Sequence, residues 1–274
     1  MKKECYMITS YANKGVKDVM QLMQKAKARR ERDLFVAEGV KMFLEAPAER
    51  IEKVYLSESF VKQTPPACKE KLALLQDVCE TVTGVIFERM SGTKTPQGIL
   101  CLLKQYHYDL HALSAVPDPL LILLEDIQDP GNLGTIFRAG EGAGVSGIVM
   151  SSGTVDIYNP KTIRSTMGSV YRMPFMYTPD MGKTIAELKR KKIAVYAAHL
   201  QGARVYDTCD YKKASAFLIG NEANGLRDET AKLADKAIKI PMAGQVESLN
   251  AAVASSVLLF EAARQRRQSR RGEK

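Results

Sequence analysis

Several features that would narrow the chemistry at once are missing from this sequence. No uninterrupted apolar run approaches the ~18 residues of a membrane span; the longest candidates, Leu120–Leu124 and 251–260, are short or broken by polar side chains. The two lysines at positions 2 and 3 precede no apolar core, so no export signal is expected and the protein is placed in the cytoplasm. Five cysteines (Cys5, Cys68, Cys79, Cys101, Cys209) form no Cys-x-x-Cys pair and are odd in number, which suits reduced thiols. Of three histidines, His107 and His111 are four apart, yet no Cys or carboxylate cluster completes a metal site with them, and no metal is expected. No internal repeat is evident. Disorder of the whole chain is also excluded, because 45% hydrophobic and 26% charged residues are ordinary for a globular protein.

Charge is present in excess, with 40 Lys+Arg against 31 Asp+Glu and a net +9. Two segments carry that excess: residues 14–32 and residues 264–274 are each net +5, while the body between 107 and 263 is close to neutral. Local basic clusters of this kind attract a polyanion through phosphate contact and counterion release. The competing readings are a solvated helix face for 14–32 and a solubilising tail for 264–274.

A length of 274 residues implies roughly two domains at ~150 residues each. Val16, Val19, Met20, Met23 and Ala26 share one face of a helix expected over 14–30. Short strands at 34–37, 54–56 and 99–103 alternate with helices at 38–46 and 68–80, which indicates a small α/β domain over 1–106. The polar stretch 107–119 ends in Pro-Asp-Pro and reads as a linker. Beyond it, Leu120–Leu124 is apolar at every position, and similar runs recur at 147–150, 193–198, 216–219 and 237–240. Runs of this kind suit strands of a parallel sheet covered on both faces, in a second domain over 120–263 followed by the basic tail 264–274.

Ligands of such sheets bind beyond the C-terminal strand ends, so the residues after each run matter most. After the first run, Pro130-Gly131 turns the chain and Asn132 is placed to cap the helix carrying Arg138. After 216–219 come Gly220, where a ligand can approach the backbone closely, and Glu222. After 237–240 come Pro241, Met242 and Gly244, with Ser248 as the expected cap of a helix that places Leu249, Ala252, Val253, Ser256, Val257 and Phe260 on one packed face. Asn250 falls in that helix's first turn, away from the stripe. Gly142-x-Gly144-x-x-Gly147 spells a dinucleotide fingerprint, but it ends a helix and precedes a strand, the wrong side for pyrophosphate. Helix-terminating glycine explains it better. Gly92-Thr-Lys94-Thr95 likewise lacks the residue order of a phosphate-binding loop.

In order, spacing and text, segments 132–138, 220–226 and 240–250 resemble the three motifs of the SpoU (TrmH) family of RNA ribose 2′-O-methyltransferases, of the knotted SPOUT class. Leu34-Phe-Val-Ala-Glu-Gly39 and Thr95-Pro-Gln-Gly-Ile99 are similar to that family's small substrate-binding, ribosomal-protein-like α/β domain. One departure is visible: Ala251-Ala252 stand where the family often has Val-Ser.

The resemblance implies a C-terminal parallel sheet with a deep trefoil knot over 199–250 and S-adenosylmethionine as cofactor. Carried over by position, Gly220, Ile240, Met242 and Leu249 bind it, and Arg138, Asn132, Glu222, Ser248 and Asn250 form the catalytic set. It also implies a homodimer whose active site is completed across the interface, and RNA as substrate, with ribosomal RNA favoured by the extra first domain. Transfer RNA as substrate, or an inactive RNA-binding protein of the same fold, are the alternatives. The family's proposed base is the motif-one arginine, here Arg138. Because arginine is effectively always protonated, gripping phosphate and stabilising a developing alkoxide match its chemistry better.

Overall fold

The computed structural model describes residues 7–272, with the backbone alone for 271 and 272. Cys5 and the N-terminal lysines therefore lie outside the described residues. The chain divides into two compact units, residues up to Tyr106 with Asp156–Tyr171, and His107–Val155 with Arg172 onward.

The first unit opens with α1 (Lys14–Gln24), capped by the Asn13 carboxamide, which accepts from the Gly15 and Val16 amides. Lys25 is extended, and α2 (Ala26–Arg32) starts afresh, so the single helix expected over 14–30 is two. The break lets Arg29 turn inward. Its Nη1 donates to the Leu22 carbonyl at 2.6 Å, and Nε and Nη2 donate to Asp156 at 2.9 and 2.7 Å. Arg29 is 3% exposed, so one charge of the basic 14–32 segment belongs to the interior.

Next come β1 (Leu34–Glu38), α3 (Val40–Glu45), β2 (Ile51–Ser57), α4 (Glu58–Lys62), α5 (Pro66–Leu74), β3 (Cys79–Val82), α6 (Gly84–Met90) and β4 (Ile99–Lys104). They form a four-stranded sheet ordered β1-β4-β2-β3, in which only β2 and β3 pair in parallel. Sequence reading ran a helix through 68–80; the helix stops at Leu74, and the β-branched Thr81 and Val82 close the sheet.

Residues 107–119, expected as a linker, hold α7 (Leu110–Leu113), capped by Asp109, whose leucines are buried in the core of the second unit. That unit continues with β5 (Leu120–Leu124), α8 (Pro130–Ala143) and β6 (Gly147–Ser151). The next helix, α9 (Pro160–Thr166), lies in the segment grouped with the first unit. Then follow β7 (Phe175–Thr178), α10 (Met181–Arg190), β8 (Ala194–Ala198), β9 (Arg204–Val205), β10 (Ser215–Ile219), α11 (Asp228–Ala231), β11 (Lys236–Lys239) and α12 (Ala251–Gly272).

The seven strands run in parallel in the order β7-β6-β5-β10-β8-β11-β9. Alternate residues divide its two faces. Leu121, Leu123, Val195, Ala197, Ala216 and Leu218 join Ile185 and Leu188 of α10 in one core, while Phe217 stacks with Tyr196 and Tyr211 on the other side. Gly144 ends α8 in the left-handed region at φ 78°, as expected of a helix terminator. The strands β7 and β9 were not legible; β7 is four residues with one exposed position, and β9 is two.

The edge beyond β10 is unusual. Ile238 of β11 pairs with Ala198 on one side and Arg204 on the other, so the chain passing from β8 to β9 crosses over β11 at residues 199–203. At Gly202 a Cβ would lie 2.5 Å from the Ile238 carbonyl carbon. β11 therefore runs beneath a bridge of earlier residues, the crossing that a knotted chain requires and that ordinary topologies avoid.

Among the described residues no helix is long and apolar enough to cross a membrane. Of the basic tail expected over 264–274, the described part continues α12 to Gly272 and is docked through Gln265 and Arg266. Gln265 exchanges hydrogen bonds with the Cys209 carbonyl and the Tyr211 amide. Arg266 donates to the carbonyls of Tyr211 (2.9 Å), Asp118 (2.8 Å), Lys213 (2.8 Å) and Pro119 (3.4 Å). Arg266→Ala should lower the unfolding free energy in urea by about 2–3 kcal/mol, the scale for hydrogen bonds to a charged group plus orphaned acceptors. Lysine should restore only part, since one ammonium cannot span the fork.

Candidate active site

Three loops meet at the C-terminal edge of the sheet, and each is fixed by its own polar contacts. At the end of β5, Glu125 is 2% exposed, its carboxylate accepting from Thr230 Oγ1 at 2.6 Å and the Arg227 amide at 2.9 Å. Asp126 follows at φ 57° and accepts from Ser151 Oγ (2.7 Å) and the Arg227 guanidinium, while its carbonyl accepts from Asn221 Nδ2 at 2.7 Å. Loop 220–226 closes on itself, with Asn221 and Gly225 exchanging backbone bonds of 3.0 and 2.9 Å. A Cβ on Gly220 would lie 2.2 Å from the Gly225 carbonyl carbon, so glycine is required there.

A chain of side chains then joins the loops. Glu222 Oε1 accepts from Asn132 Nδ2 (2.8 Å) and the Asp129 amide (3.3 Å), and Oε2 accepts from the Gln128 amide (3.1 Å). Asn132 Oδ1 accepts from Asn250 Nδ2 at 3.0 Å, and Asn250 Oδ1 accepts from the Ala252 and Val253 amides at 2.9 and 3.3 Å. The polarity is forced at each link. Backbone donors at the start of α12 claim the Asn250 oxygen, which turns its NH2 to Asn132, whose own NH2 then faces an ionised carboxylate. Burial pushes the Glu222 carboxyl up, but the Asn132 side chain and the backbone amides of Gln128, Glu222 itself and Asp129 outweigh it and hold it below its ordinary 4.5.

Two capping expectations are corrected by this geometry. The cap of α8 is Asp129, whose Oδ1 accepts from the Asn132 amide at 2.8 Å, which leaves the Asn132 side chain free for the relay. The cap of α12 is Asn250, two residues beyond Ser248.

Against the relay lies a cavity of about 470 Å³, within the range of small-molecule sites. Gly220, Ile240, Met242 and Leu249, the four expected cofactor residues, all line it, as do Glu222 and Ser248. Sequence reading missed His199, Leu200 and Gln201 of the bridge over β11, together with Asp228 and Lys239. The strand-end rule applied to the run 193–198 would have found His199. Apolar walls with peptide groups suit a flat aromatic base, and the carboxylates of Glu222 and Asp228 suit a cationic ligand.

Arg138 does not join this group. It is exposed, does not line the cavity and makes no hydrogen bond or ion pair with a described residue. Six residues beyond Asn132, it points about 120° away around the helix. Helices α8 and α12 run side by side, with Asn132 against Asn250 at one end and Gly142 against the Phe260 ring at the other. Arg138 is therefore level with Ser256, between Val253 and Phe260, which are 49% and 47% exposed. The expected packed stripe is thus corrected in part: Ala252 is buried, but Val253 and Phe260 face outward, and Ala251, Ser255, Leu258, Leu259 and Ala262 fill the interior.

The relay has a measurable sign. A carboxyl held below its ordinary value stabilises the loops above that value and loses the contribution as pH falls through its folded value. Calorimetric affinity for a ligand of this cavity should be flat at pH values above the ordinary 4.5 and fall only as pH is taken below it. In Glu222→Gln it should be lowered roughly tenfold at neutral pH, because an amide NH2 faces three donors. A profile that stays flat at every acid pH at which the protein remains folded, together with an unaffected glutamine variant, would remove the relay's role.

Comparison with known proteins agrees with this construction. A family model described as the SpoU rRNA Methylase family matches residues 119–260, and one described as the MRM3-like substrate binding domain matches residues 13–101. A Bacillus subtilis (strain 168) protein, 23S rRNA (guanosine(2553)-2′-O)-methyltransferase RlmP, is 30% identical over 258 residues, 92% of this chain and 97% of that protein. The 23S rRNA (uridine(2479)-2′-O)-methyltransferase of Streptomyces viridochromogenes is 30% identical over 72% of this chain and 68% of its own length. Among solved structures, an AdoMet-bound rRNA methyltransferase from Sinorhizobium meliloti superposes with a TM-score of 0.82 at 33% identity, covering 94% of this chain and 97% of that one. By sequence, fold and the convergence of its strand-end loops, the chain belongs to the SpoU rRNA methylase family.

Proposed function

We propose that this protein transfers a methyl group from S-adenosylmethionine to the 2′-hydroxyl of a ribose in large-subunit ribosomal RNA, in the cytoplasm. The observation that carries the reading is the cavity itself: four positions from the second and third motifs line one space, and Glu222 and Asn250 tie it to Asn132 of the first. Named relatives act on 23S rRNA.

When bound, S-adenosylmethionine supplies an electrophilic methyl carbon on a cationic sulfur that departs as a neutral thioether. What remains for the protein is alignment, worth an effective molarity of up to about 10⁵–10⁸ M. Gly220, Ile240, Met242 and Leu249 hold the cofactor, and Asn132, Glu222, Ser248 and Asn250 fix the loops that face the ribose. Arg138 grips an adjacent phosphate and steadies negative charge on the attacking oxygen. It stays protonated throughout, so the proton leaves to phosphate or water.

Arg138 is outside its own chain's cavity, beside the exposed Val253 and Phe260. We therefore assign this face to a homodimer in which Arg138 of one copy serves the cavity of the other. Transfer of tritiated methyl to ribosomal RNA tests the whole reading. Arg138→Ala should cut turnover at least a hundredfold while keeping cofactor affinity, and lysine should rescue poorly. Gly220→Ala should also be inactive, its loop unable to close. Mixed and reannealed, the two inactive variants should recover about a quarter of wild-type activity, because half of the dimers then contain one intact site. No recovery would place Arg138 in its own chain's site, and an active Arg138→Ala would remove it from the reaction.

A further inference from the structure

Charge in the second unit is unevenly spread along the strands. The cavity edge carries Glu125, Asp126, Asp129, Glu222 and Asp228 against Lys239 and the Asp126-paired Arg227. The opposite edge is reached by the far end of α12, which starts beside the cavity and ends about 30 Å away at about 1.5 Å per residue. Its position there is fixed by Arg266, whose carbonyl partners at Asp118, Pro119, Tyr211 and Lys213 all lie just before β5 or β10.

Cations gather on that edge. Lys192 and Lys213 each lie two residues before a strand, and the Ala194–Ser215 register makes them neighbours. Arg190, Lys192, Arg267 and Arg270 are exposed and have no acidic partner among the described residues. Lys191, Lys212 and Lys213 have only loose ones, at 3.7, 3.9 and 3.6 Å. Burial holds Arg266 below its ordinary value against the opposing carboxylate of Asp118, and nearby Arg270 adds to the lowering. The basic run thus splits by role: Arg266 is a clamp, Arg264 pairs with Glu261, and Arg267 and Arg270 face solvent.

We propose that this edge, centred on Arg267 and Arg270 with Arg190, Lys192 and Lys213, is a second RNA contact surface that grips substrate phosphates about 30 Å from the cavity of its own chain. It rests on RNA being the substrate. Phosphate contacts position a nucleic acid without reading its sequence, so the surface sets affinity and the length of RNA required, and leaves the methyl-transfer step alone. At ~3.4 Å per nucleotide, the span is roughly nine steps, beyond the reach of a short oligonucleotide.

The test compares wild type with Arg267→Ala/Arg270→Ala for binding to a labelled RNA duplex of about 30 base pairs and a single strand of about six nucleotides, across a salt series. For the duplex, affinity at low salt should fall roughly tenfold and the slope of log affinity against log salt should shrink by about 1.5–2. Affinity for the short strand and for S-adenosylmethionine should be unchanged, and Arg267→Lys/Arg270→Lys should restore the slope. An unchanged duplex slope overturns the proposal. So does a change of oligomeric state in place of a change in slope, which would make the edge a contact between copies. Tritium transfer by the wild type is scored separately. Its absence with a reduced slope defeats the proposed reaction alone, and its presence with an unchanged slope defeats this surface alone.

Discussion

A single carboxylate with three donors around it decides where the loops of the second unit can go. Glu222 sits in a closed loop after β10, yet its hydrogen bonds all reach the segment after β5, at Gln128, Asp129 and Asn132. Through Asn132 and Asn250 the same group sets the first turn of α12. Segments ninety or more residues apart in sequence are thereby brought to one edge of the sheet, and the cavity is the space they leave. Each bond is at the surface and individually modest. Their joint effect is geometric: with the amide polarities fixed from one end, the loops have one mutually satisfied arrangement.

How much of this was legible in the sequence depended on how locally each feature is encoded. Buried parallel strands announce themselves, because Leu120–Leu124 has no polar position to confuse the reading. The loop residues were legible because motif order carried them, and Gly220, Ile240, Met242 and Leu249 do share one cavity. What failed was decided by tertiary competition. Asn132 and Ser248 are both good caps by composition, but neighbours at Asp129 and Asn250 claimed those amides. The helix expected over 14–30 breaks at the extended Lys25, which lets Arg29 reach Asp156 more than a hundred residues away. Leu110 and Leu113 look like scattered apolar residues in a polar stretch, and only the packed sheet shows what they cover.

The same lesson holds for charge. Formal net charge treats the basic residues of 14–32 and 264–274 alike, whereas the structure withdraws some of them from any ligand. Arg29 and Arg266 are turned onto carbonyls or a carboxylate, and what is left exposed is smaller and better placed than a count suggests. Acidic residues near the cavity suit a cationic methyl donor, and the cations needed for a polyanion lie elsewhere. Arg138 is the exception, exposed and without a hydrogen bond or ion pair to any described residue.

The claim on which all of this turns is that Asn132 transmits order from the Glu222 loop to the start of α12. Amide hydrogen exchange in Asn132→Ala measures it most directly. The account predicts that the Gln128 and Asp129 amides, held by Glu222, and the Ala252 and Val253 amides, held by Asn250, all lose protection together. If exchange quickened only within the first turn of α8 and the α12 amides kept their wild-type rates, the loops would be independent and the account would be contradicted.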